Sequence, residues 1–65
     1  MDEIKARLDQ AIEKKTERFM ACYDAFGVSD QQTIRAHAEL EGMKEAFEIV
    51  TGERHFEYWC RKMGV

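Results

Sequence analysis

Cys22, His37, His55 and Cys60 are the side chains here best suited to bind a metal or to pair as nucleophile and base. Thiolates and imidazoles make a zinc site when two of them sit close enough in sequence to chelate as a unit, as in C-x₂₋₄-C or H-x₃₋₅-H. Neither spacing occurs in the chain. His55 and Cys60, if they share a helix, point about 140° apart. A Cys–His nucleophilic pair also needs a cleft, which two or three short helices seldom enclose. Helical di-iron sites repeat Glu-x-x-His on facing helices, and that motif is absent from the sequence. The glycines at 27, 42, 52 and 64 are isolated, so no phosphate-cradling loop is present. These spacings assign no catalytic, cofactor-binding or metal-ligating residue, and the expectation is a non-enzymatic protein without a cofactor.

Charge narrows the partners. The sequence carries a net charge of −3 and a pI near 5.3, which gives no broad positive field for nucleic acid. A short turn between two helices invites comparison with a helix-turn-helix. The second helix would then have to read DNA while carrying Glu39, Glu41, Glu45 and Glu48, which phosphates repel. The remaining basic candidates are Lys14, Lys15 and Arg18, with Arg61 and Lys62 beside Tyr58 and Trp59. Direct DNA or RNA binding therefore ranks low. Arg54, Arg61 and Lys62 flank the last aromatic segment, but Glu53 and Glu57 offset them, so no membrane association is expected. No apolar run approaches the roughly 20 residues of a membrane span. Asp2 and Glu3 are the wrong charge for the start of a secretory signal. Two cysteines are too few for a disulfide framework. A cytoplasmic protein with free, small, buried thiols is expected.

The 65 residues allow one small domain spanning 1–65. Such a chain buries only about 60% of its unfolded surface, so association with another chain would help to complete its core. The sequence has no proline, repeat or linker, and no alternating strand pattern. The fold expected is all-α: an antiparallel hairpin of helices at about 2–26 and 30–51, plus a C-terminal helix at about 53–63. It would form either a three-helix bundle or a dimeric one.

Ile4, Leu8, Ile12, Phe19, Cys22, Tyr23 and Phe26 make one stripe at helical spacing. Gly27 stops the first helix. Ser29 with Gln32 matches a capping box for the second, leaving only Gly27 and Val28 between them. Ala36, Leu40, Met43, Phe47 and Val50 form the facing stripe. Antiparallel packing sets Leu40 near Phe19, Phe47 near Ile12 and Val50 near Leu8, with the Lys15 stem beside Met43.

A second stripe, Ile34, Ala38, Gly42 and Ile49, lies on the far side of the second helix. The tail repeats the pattern, because Phe56, Trp59, Cys60 and Met63 fall at i, i+3, i+4 and i+7. A helix unbroken through Gly52 would join both stripes into one face for a second chain. A break at Gly52, the favoured course, would let the tail fold back over the open end of the hairpin near Ile4 and Leu8. Both courses put Phe56, Trp59 and Met63 under cover.

In size and composition alone the chain resembles the small, proline-free, acidic helical proteins that phages and mobile elements often encode. The resemblance implies a regulator or inhibitor that docks on a larger protein. The leading expectation is a self-associating interaction module, a homodimer first, using Ile34, Ala38, Gly42, Ile49, Phe56, Trp59 and Met63. The alternative is an acidic inhibitor whose Glu39, Glu41, Glu45 and Glu48 occupy a nucleic-acid-binding or other basic surface.

Overall fold

A computed structural model describes residues 2–65. Three helices, α1 (Asp2–Phe26), α2 (Gln31–Thr51) and α3 (His55–Met63), make up the regular structure, with no strand among the described residues. The first two form the predicted hairpin. Early residues of one meet late residues of the other: Lys15 and Arg18 reach Glu39, and Ile12 packs with Phe47.

The turn between them is longer than the sequence predicts. Gly27 leaves the helix at φ 88° and its N–H donates to the Tyr23 carbonyl at 2.9 Å. Asp30, rather than Ser29, is the N-cap of α2. Its carboxylate accepts the Gln32 N–H at 2.8 Å, a bond that favours the positive end of the helix. The connection therefore runs from Gly27 through Asp30. One turn into α2, the buried Thr33 hydroxyl donates to the Cys22 carbonyl at 3.1 Å and ties the two helices together at this end.

Gly52 ends α2. Its φ of 74° is left-handed, a conformation that costs a side-chain-bearing residue roughly 1 kcal/mol or more. Its N–H donates to the Glu48 carbonyl at 2.8 Å. Thr51 secures the corner: its hydroxyl donates to the Phe47 carbonyl at 2.7 Å and accepts the Glu53 N–H at 3.2 Å. The break predicted at Gly52 is present, and α3 folds back on the hairpin. A single long helix with two opposed faces is excluded, so Ile34, Ala38, Gly42 and Ile49 are not continuous with the tail.

Ile12, Leu40 and Phe47 form the core, with Leu8, Phe19, Met43 and Tyr58 packed against them. Val50 and Ile4, expected in the seam, are exposed instead. Helical geometry explains this. Asp9 lies on one flank of the α1 stripe and Ile4 on the other, and α3 docks on the Asp9 flank. Among the described residues, no helix docks on the opposite flank, where Ile4 and Val50 stay about half exposed. Cys22 and Cys60 are half-buried rather than fully buried.

Phe47 touches all three helices' packing and is completely buried. Phe47→Ala should cost about 3–5 kcal/mol, most of the stability of a domain this size. Val50→Ala, a surface change, should cost less than about 0.5 kcal/mol. Urea unfolding followed by helical circular dichroism compares the two, and equal losses would contradict this placement of the core.

Candidate functional site

α3 is held by a polar latch. Asp9, buried on α1, accepts a hydrogen bond from His55 Nε2 at 2.7 Å through Oδ1, and Lys62 Nζ donates to its Oδ2. The carboxylate can only accept, so His55 must carry a proton on Nε2. Burial by itself would raise the Asp9 pKa. The hydrogen bonds from Lys62 and His55, together with their charges, overcome that and hold the carboxyl below its ordinary value of 3.8. The same bond to Asp9 raises the Lys62 ammonium above its ordinary 10.5. Further ties come from Glu53, which pairs with Arg61 at 2.7 Å and Lys5 at 3.8 Å. Arg61 holds the Glu53 carboxyl below its usual range.

This latch fixes the rotation of α3 about its own axis. His55, Tyr58 and Lys62 face inward, with the His55 and Tyr58 rings at 5.2 and 5.3 Å from that of Phe47. Phe56, Trp59 and Met63 each follow one of these by a single position, so their face is turned about 100° from the inward one. They are consequently exposed, at 71%, 41% and 57%. The expectation that the tail's apolar residues would be covered is overturned within the chain. Docking satisfies Asp9 instead, and no residue of α3 is fully buried.

The outward face forms one wall of an open cleft of about 490 Å³. Ile12 and Thr16 of α1 lie across from Phe56, Trp59 and Met63, and Glu13 and Glu17 stand along the α1 side. The Phe56 and Trp59 rings lie 6.5 Å apart and within 23° of parallel. Phe56 also borders a second, shallower depression beside Glu41, Glu45 and Glu48 of α2. Lys44 lines both depressions, Lys62 the first and Arg54 the second, so Phe56 is a ridge between two rims that each carry three carboxylates against two cations.

The remaining predicted residues are separated by the fold. Ile34, Ala38, Gly42 and Ile49 are exposed on the outer side of α2. A methyl group added at Gly42 would meet nothing within 4 Å, so no contact within the chain requires a small residue there. Glu39 does not stand with the other glutamates: it turns to α1 and pairs with Lys15 at 3.4 Å and Arg18 at 3.3 Å. Glu41 pairs within α2 with Lys44 and His37.

Among the described residues, no three His, Cys, Asp or Glu side chains gather in a metal-binding group. The Thr16 hydroxyl, which lines the same cleft as His55, donates to the Ile12 carbonyl at 2.8 Å. No helix of the described residues is long and apolar enough to cross a membrane. Comparison with protein-family models, curated proteins and solved structures finds no match for this chain.

Sequence spacing missed the latch because its members lie far apart in the chain and match no motif. The available signal was Asp9, a charged residue next to Leu8 at the edge of the core stripe, with His55 and Lys62 seven apart on one helical face.

Asp9→Asn should lower stability by about 1.5–3 kcal/mol, the range for a charge-assisted hydrogen bond, and should speed amide exchange in α3 before the hairpin. The pH dependence has a definite sign. Because the folded Asp9 pKa is depressed, its contribution is complete above about 3.8 and is lost as pH falls from there through the folded value. The raised Lys62 pKa gives the converse: its contribution is complete below about 10.5 and disappears as pH rises through the folded value. Amide exchange in α3 that is insensitive to acid would contradict the latch.

Proposed function

We propose that the chain is a non-enzymatic helical interaction module that engages another polypeptide through the outward face of α3. One observation carries this reading. The helix with the most sharply one-sided apolar pattern turns that side away from its own core. Three large apolar residues on one short helix form the kind of contiguous patch that marks interaction surfaces, whereas single exposed apolars are ordinary. Aromatic side chains of this kind commonly anchor protein interfaces.

A second copy is the nearest candidate partner, since a two-fold dimer is the smallest closed assembly. The break at Gly52 weakens the case for it by removing Ile34, Ala38, Gly42 and Ile49 from the tail's face. The acidic rims support the second reading, a regulator or inhibitor docking on a basic surface of a larger protein. A cytoplasmic location accords with the two unpaired thiols.

Phe56→Ala and Trp59→Ala separate an interaction face from a structural one. Phe56→Ala should cost less than about 1 kcal/mol in the isolated chain, because Phe56 is largely in water. Trp59→Ala, at a residue more than half covered, should cost more than that but less than the about 3–5 kcal/mol of a fully buried aromatic. A loss of about 3 kcal/mol or more from either would mean that this face is core and would end the proposal. Sedimentation reports on the occupant: a mass above 7.6 kDa that falls in Trp59→Ala identifies a second copy, and a monomer points to a different chain.

A further inference from the structure

Resting on the reading of α3 as an interaction face, the structure points to its occupant, and we propose a basic amphipathic helix belonging to another protein. This helix would lie along α3, with its apolar side against Phe56, Trp59 and Met63 and its Lys or Arg side chains over the carboxylates on either side.

The apolar strip has the right length. Phe56 to Met63 covers about 10 Å, two helical turns, and helix-in-groove recognition uses anchors spaced over about two turns. The open cleft against Ile12 and Thr16 gives the anchors a place to enter.

Charge then selects the partner. The two depressions bordered by Phe56 carry Asp9, Glu13, Glu17, Glu41, Glu45 and Glu48 against Lys44, Arg54 and Lys62. Lys62 is committed to Asp9, and Lys44 is paired with Glu41. What faces an incoming chain is Glu13 and Glu17 on one side and Glu45 and Glu48 on the other, with Arg54 as the opposing charge. None of these four glutamates makes an ion pair among the described residues.

A second copy fits this frame poorly. Two-fold packing on the strip would bring the same acidic rims of both chains together, and like charges placed opposite each other across an interface are costly. A helix with basic flanks removes that penalty and gains from the same carboxylates.

The test uses two synthetic 18-residue amphipathic helices, one of Leu and Lys and its counterpart of Leu and Glu, titrated against the full chain. Binding is followed by Trp59 fluorescence and by calorimetry. The Leu/Lys helix should bind and shift Trp59 emission to the blue, with affinity falling as salt rises. The Leu/Glu helix should not bind. Glu17→Lys with Glu45→Lys should weaken binding tenfold or more. Asp2→Lys with Asp24→Lys, which makes the same change in net charge away from the strip, should leave it within twofold. Trp59→Ala should weaken it by a similar tenfold or more, read by calorimetry. Circular dichroism confirms that each variant keeps its helices.

Equal binding of both peptides, or binding indifferent to the rim charges, would overturn the basic partner while leaving α3 as an interaction face. Binding unchanged by Trp59→Ala would overturn it too, by placing the peptide elsewhere on the acidic surface. No binding by a chain that sediments as a Trp59-dependent dimer would overturn it in favour of a second copy. No binding by a monomer would overturn the basic helix, while the reading of α3 as an interaction face stands or falls with the stability of Phe56→Ala and Trp59→Ala.

Discussion

Asp9 is the constraint on which the arrangement of this protein turns. A carboxylate at the edge of the hairpin seam must either stay in water or be covered by groups that can hydrogen-bond it, because an unpaired buried charge costs several kcal/mol. α3 covers it and supplies both partners, His55 and Lys62. Burial works against the charged form, and the two partners hold the Asp9 carboxyl below its ordinary value. With both engaged, His55 and Lys62 set the face that α3 presents to the hairpin. Tyr58 falls on Phe47, and Phe56, Trp59 and Met63 fall on the outside. A short helix has thus been oriented by its polar residues against the direction its apolar stripe would choose.

That choice depends on the corner at Gly52. The left-handed glycine and the two Thr51 hydroxyl bonds reverse the chain within a few residues. Without the reversal, His55 and Lys62 would lie far from Asp9 along an extended α2. The hairpin itself asks for little more than its seam of Ile12, Leu40 and Phe47, the tie from Thr33 to Cys22, and a cap at Asp30. Its opposite flank, with Ile4 and Val50, stays about half exposed among the described residues for the same reason that the Asp9 flank is covered: there is one short third helix, and the latch assigns it to one side.

Most of the architecture was legible as spacing. Apolar steps of three and four located α1 and α2, their short connection implied antiparallel packing, and Gly52 was recognisable as a stop. The N-cap was misread by one residue, because Ser29 and Asp30 are both good caps and only the geometry of the turn decides which side chain reaches the helix. The outward face of α3 was half legible. Phe56, Trp59 and Met63 stood out as a stripe, and their exposure did not, since periodicity states which residues share a face and not where that face points. Glu39 is a different case: at 100° per residue it stands about 160° from Glu41 and about 180° from Glu48, so spacing alone separates it from them, and the structure turns it to the α1 seam.

Local patterns therefore specified the helices, their approximate ends and the membership of the apolar stripes, all of which follow from interactions among residues a few positions apart. Which face meets the core was settled only when residues some fifty positions apart came together. Asp9, His55 and Lys62 have no mark in the sequence that pairs them. Their attraction, a buried charge seeking its partners, rotates α3 and turns its apolar side outward.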